Sequence, residues 1–123
     1  MQRRDFEQLV SVALDELPQR FRQYLQNIAV VVENEPSQQL LEAMELWPEE
    51  TLLGLYEGVP LTERGYGYGN TLPDRITIFQ RPIEDMCRTP HDIKNAVQET
   101  VLHELGHYFG LDDEQLDELL EEP

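Results

Sequence analysis

Asp92-Ile93-Lys94-Asn95-Ala96-Val97-Gln98-Glu99-Thr100-Val101-Leu102-His103-Glu104-Leu105-Gly106-His107-Tyr108-Phe109-Gly110 is the stretch that decides how this chain is read. Asp92 can cap a helix running from Ile93 to about Phe109, and Gly110 stands where a left-handed C-terminal residue belongs. At about 100° per residue, positions four apart differ by only about 40° around a helix axis. His103 and His107 therefore project from one face, a turn apart, with Glu104 close enough to reach whatever the two imidazoles hold.

The pattern His103-Glu104-x-x-His107 suits a divalent ion. Zinc is borderline in softness and takes two imidazoles readily; a third protein ligand then leaves a fourth position for water. The ion makes that water acidic near neutral pH, and Glu104 can take the proton and pass it to a leaving amine. Gly110 lets the chain leave the helix and turn back beneath the ion, which brings in Asp113, ten residues after His103. Asp112 is the less favoured third ligand, because it could equally accept a hydrogen bond from a ligand histidine. The composite His103-Glu104-x-x-His107-x-x-Gly110-x-x-Asp113 has the spacing of the long zincin motif, with Asp where His is commoner. Two ordinary histidines on a helix are the competing explanation. The composite would arise by chance in only about four chains per hundred thousand of this composition, which favours the metal.

Phe6, Leu9, Val10, Ala13, Leu14 and Leu17 fall at helical spacings, so residues 4–17 are expected to form an amphipathic helix. Pro18 permits a fresh first turn, and Phe21, Tyr24 and Leu25 continue a shorter helical stripe. Residues 28–32, all but one of them β-branched, predict a buried strand. Leu40, Leu41 and Met44 suggest a short helix within 36–48, residues 51–56 a second strand, and the glycines between Gly58 and Gly69 a long loop. Residues 75–80 alternate, with Ile76 and Ile78 on one face, and form a third strand. Asp113 can also cap a last helix ending near Leu120. The expected fold class is α+β: helices packed on a small mixed sheet of about three strands, in one domain spanning 1–123.

Composition excludes several functions. The formal charge is −16, with 9 basic against 25 acidic residues, and no basic cluster extends beyond Arg3-Arg4. Release of counterions from phosphates needs clustered Lys and Arg, so no nucleic-acid partner is expected, and no anionic membrane surface either. No apolar run approaches the roughly 18 residues of a membrane span, and Asp5, Glu7, Asp15 and Glu16 interrupt any leader-like segment. The expected location is the cytoplasm and the expected state a monomer. The single Cys87 has no internal disulfide partner and reads as a small buried apolar residue.

Residues 100–113, Thr-Val-Leu-His-Glu-Leu-Gly-His-Tyr-Phe-Gly-Leu-Asp-Asp, resemble the signature of the minimal zincin-like metallopeptidase family of small bacterial proteins. Residues 53–64, Leu-Gly-Leu-Tyr-Glu-Gly-Val-Pro-Leu-Thr-Glu-Arg, and 72–79, Leu-Pro-Asp-Arg-Ile-Thr-Ile-Phe, are similar to its other recurring blocks. The resemblance implies a small zincin-type fold, one zinc ion at His103, His107 and Asp113, Glu104 as general base, and a peptide or protein substrate. Only ten residues follow Asp113, and Met44 and Met86 precede the motif, so the lower subdomain and methionine turn of larger zincins are not expected. A zinc-stabilised binding module with an acidic surface and no productive cleft is the alternative.

Two further features are read both ways. Residues 75–80 are either an edge strand that pairs with extended substrate, as such a strand does in zincins, or a plain core strand. Tyr66 and Tyr68 either stabilise an oxyanion or sit on an ordinary exposed loop, and His91 reads as a surface residue at a helix start.

Overall fold

A computed structural model describes residues 1–26, 28–45, 52–58 and 74–108, with the backbone alone for 107 and 108. The element order is α1 (Arg3–Asp15), α2 (Gln19–Arg22), a 3-10 turn (Gln23–Leu25), β1 (Ile28–Glu33), α3 (Gln38–Ala43), β2 (Gly54–Glu57), β3 (Asp74–Phe79), α4 (Gln80–Asp85) and α5 (Pro90–Tyr108). Helices on a small mixed sheet of three strands are the α+β class that the pattern predicts.

The sheet order is β1-β3-β2, with β1 parallel and β2 antiparallel to the middle strand. Ile76 and Ile78 share one face of β3 and are fully buried, whereas Arg75 on the other face is exposed. The edge-strand reading of residues 75–80 is overturned: this strand is central, and both of its edges are taken by β1 and β2. Arg75 and Thr77 give the sequence the half-polar look of an edge, yet Thr77 is buried too. β1 corrects the expectation in the opposite sense. It lies at the sheet edge and only Val32 is buried, the residues before it being half-buried. The Arg3 guanidinium donates to the Val32 carbonyl at 3.0 Å on this strand.

The core lies between the sheet and two long helices. Phe6, Val10 and Ala13 of α1 meet Ile93, Val97 and Val101 of α5, with Ile76, Ile78 and Ile83 closing the cluster. Each buried Val, Ile or Phe of this cluster contributes about 1.5–3 kcal/mol relative to exposure, and Ala13 less. The Gln98 side-chain amide donates to the Ala13 carbonyl at 2.8 Å, which fixes α5 lengthwise against α1.

Helix α5 begins earlier than its sequence suggests. Thr89 is the capping residue: its Oγ1 accepts from Asp92 N at 3.1 Å, while the Asp92 carboxylate accepts from Arg88 N and Thr89 N at 3.1 and 3.2 Å. This is a reciprocal capping box with Pro90 in the first helical position, where its missing N–H costs nothing. Those backbone bonds, that from Arg88 foremost, hold the Asp92 carboxyl below the usual carboxylate range. Ser37 caps α3 in the simpler way, its Oγ accepting from Leu40 N at 3.1 Å. α4 follows β3 without a loop and is unannounced by the sequence pattern; Pro82 sits in its first turn, where proline is tolerated. Gly110, the expected last helix and the 66–68 tyrosines lie outside the described residues.

Candidate active site

Helix α5 crosses the sheet close to β2, and the approach is set by a glycine. A Cβ on Gly54 would stand 2.6 Å from Thr100 Cγ2 and 3.1 Å from the Thr77 carbonyl oxygen. Only a residue without a side chain lets the strand come this near the helix. The consequence appears two residues on, where the Tyr56 backbone N–H donates to Glu104 Oε1 at 2.8 Å. The glutamate of the motif is therefore held by the backbone of the edge strand. A backbone donor in a strand has a fixed place, so the bond fixes the carboxylate's position as well.

Tyr56 is itself anchored. Its hydroxyl donates to the Asp74 carboxylate, and Asp74 is buried at the start of β3. Gly58 lies against the same carboxylate, and a Cβ there would overlap it. Asp74, Tyr56 and Gly58 thus set the far end of β2. Sequence reasoning assigned no role to Tyr56 or Asp74. The available signal was an aspartate directly ahead of a strongly apolar strand, a place where a carboxylate is buried only if it has partners.

His103 and Glu104 are half-buried and line a cleft of about 610 Å³ between α5 and β2. His107 follows one turn later in the same helix, so its Cα lies on the His103 face. Asp113 and Asp112 lie outside the described residues. Among the described residues, no three His, Cys, Asp or Glu side chains come together as a metal cluster, and of the three expected ligands only the His103 side chain is described. The donor chemistry fits a zinc ion: an imidazole open to a cleft, a second imidazole-bearing position one turn on, and a neighbouring carboxylate held by a strand. His91 is exposed at the start of α5, as expected. Cys87 is half-buried against the core, and burial together with the nearby Asp92 charge pushes its thiol up. A raised thiol is a poor nucleophile, which fits a packing role, though Cys87 is half-buried and not buried as the sequence suggests. Among the described residues, no helix is long and apolar enough to cross a membrane.

A helix carrying His-Glu-x-x-His beside the edge strand of a small mixed sheet is the arrangement of the zincin class of metallopeptidases. The chain matches the zincin-like metallopeptidase family over residues 25–122, and it belongs to that family. Its fold is similar to that of a conserved hypothetical protein of T. thermophilus, at 25% identity and a TM-score of 0.56, over 89% of this chain and 94% of the other. No curated protein matches the chain.

Proposed function

We propose that the protein is a zinc-dependent peptidase, acting as one domain, with Glu104 as general base and His103, His107 and Asp113 as the residues that would hold one zinc ion. The observation that carries this reading is the Tyr56 N–H bond to Glu104 Oε1, which positions the carboxylate on the wall of a cleft that His103 also lines. A zinc ion there would supply an acidic water and polarise the scissile carbonyl. Glu104 accepts the water proton and delivers it to the departing amine. Tyr56 keeps the carboxylate on the strand side of the cleft throughout, so no reorientation is needed between the two transfers. Family membership supports hydrolase chemistry and zinc in general terms. The substrate class is a peptide or a protein segment, encountered in the cytoplasm, with neither nucleic acid nor membrane involved.

Elemental analysis of untagged protein tests the metal, and Glu104→Gln tests the base. Near one zinc per chain is expected, lost in His103→Ala and retained in Glu104→Gln. Turnover of a peptide library should fall by about 10²–10⁴-fold in Glu104→Gln. Stoichiometric zinc with no turnover in the wild type would instead leave a zinc-stabilised binding module, and absence of zinc after incubation and dialysis would overturn both.

A further inference from the structure

We propose that Asp74 is a positioning residue for Glu104: through Tyr56, its buried carboxylate holds the backbone amide that fixes the general base. This rests on the peptidase reading and adds to it a residue from another strand. The geometry follows from the register of the sheet. Tyr56 stands opposite Ile76 of β3, and Asp74 precedes Ile76 by two residues, on the same face. Such a diagonal neighbour is within reach of an aromatic side chain, and the Tyr56 hydroxyl donates to Asp74 Oδ2. Asp74 is 5% exposed and opens the central strand, where it pairs with Ile28 of β1. It is thus seated in the most constrained strand of the sheet, and a buried carboxylate is costly to leave without a donor.

Tyr56 needs such a seat more than its neighbours do. Its N–H goes to Glu104 Oε1, so Tyr56 and Ile76 are a non-hydrogen-bonded pair and the ladder bonds to β3 fall on the residues either side. β2 has only four residues and lies at the sheet edge, so few ladder bonds hold it. Glu57 and Arg75 form an ion pair at 3.0 Å on the opposite face, but their side chains are 47% and 50% exposed, and a solvated pair holds a strand weakly. Gly58 rests against the Asp74 carboxylate, where a Cβ would overlap it. The far end of β2 therefore bears on Asp74 twice, through the phenol and through Gly58.

The near end is set by the close approach of Gly54 to Thr100 on α5. The amide that holds Glu104 lies between these two seats, so release of either one shifts it. A catalytic group misplaced by about 1 Å can lose about 10²-fold in rate. Asp74 bears on turnover in this way without touching substrate.

The test uses the whole chain, incubated with zinc, and the variants Tyr56→Phe, Asp74→Ala, Asp74→Asn and Glu104→Ala. Hydrogen exchange followed by NMR reads the protection of the position-56 amide as a ratio to that of the Val97 and Val101 amides in α5, so that a uniform loss of stability cancels. Glu104→Ala gives the ratio without the bond. Tyr56→Phe and Asp74→Ala should lower the ratio toward that value by at least about tenfold, and Asp74→Asn, which keeps an acceptor of the same shape, should hold it within about threefold. On a cleaved peptide, kcat should fall at least about tenfold in Tyr56→Phe and Asp74→Ala and recover in Asp74→Asn, with KM within about threefold and zinc content unchanged. Should Asp74→Ala fail to fold, Tyr56→Phe, which removes a single oxygen, carries the test. An unchanged ratio, a kcat unaltered in a chain that cleaves peptides, or equal losses in Asp74→Asn and Asp74→Ala would overturn the proposal. A ratio that falls as expected in a chain whose wild type cleaves nothing would overturn the peptidase reading alone.

Discussion

Replacing Gly54 by alanine adds one methyl group at the closest approach of β2 to α5. The methyl carbon would lie 2.6 Å from Thr100 Cγ2, a distance at which something must move, and 3.1 Å from the Thr77 carbonyl, which belongs to the central strand. Overpacking of this kind costs about 1–3 kcal/mol. Alanine offsets part of that, because removing a strand glycine recovers about 0.5–1 kcal/mol of chain entropy. The net expectation for Gly54→Ala is a loss of about 0.5–2 kcal/mol, or a fall in Tm of several degrees for a domain of this size. Thr100→Ser removes Cγ2 and keeps the hydroxyl, so the pair forms a double-mutant cycle. Urea denaturation of the four proteins should give a favourable coupling of about 1 kcal/mol. Rescue remains incomplete because the Thr77 contact persists. Displacing β2 also moves Tyr56 N–H relative to Glu104, and an error of about 1 Å in such positioning can cost about 10²-fold in rate. A neutral or stabilising Gly54→Ala, or strict additivity with Thr100→Ser, would refute this account of the helix–strand approach.

Tyr56→Phe leaves the buried Asp74 without its phenol donor; urea denaturation should show a loss of about 1–3 kcal/mol, and an unchanged midpoint would remove the anchoring role. The Asp92 carboxyl is depressed in the folded protein, so the stability it contributes is present above the ordinary carboxylate pKa and is lost as pH falls through the lower folded value. The protection of the Arg88 and Thr89 amides, relative to the intrinsic exchange rate at each pH, should fall as pH is lowered through that window, and Asp92→Asn should abolish this pH dependence. Cys87 has a raised thiol, so its alkylation by iodoacetamide should be slower at neutral pH than that of an unstructured cysteine peptide, the ratio narrowing as pH rises above the thiol's ordinary value; equal rates at neutral pH would contradict its burial.

Much of the fold is legible in the sequence because the relevant signals are local. The 3.6-residue stripe of α1 and the alternation of Ile76 and Ile78 each involve side chains a few residues apart, and the structure keeps them as periodicity suggests. What sequence could not reveal is made by distant segments. The order β1-β3-β2 follows from which strand buries both faces, and that depends on neighbours absent from the strand's own composition. The helix starts three residues before the place the sequence suggests because Asp92 and Thr89 are both good capping residues, and only the reciprocal bonds decide between them. In the site, His103 and Glu104 were readable from their spacing. The donor that positions Glu104 is a backbone N–H, which every residue but proline carries, so no residue type marks Tyr56 for that role.

The pairing of α1 with α5 has a consequence for how the chain is made. Asp15 closes α1 and Pro90 opens α5, 75 residues later. At a synthesis rate of about 5–20 residues per second, roughly 4–15 seconds separate the emergence of the two helices from a ribosome. Through that interval Phe6, Val10 and Ala13 lack the Val97 and Val101 surface that covers them in the finished protein. Folding of this core must wait for the late contact, so the apolar face of α1 stays uncovered by α5 for seconds during synthesis.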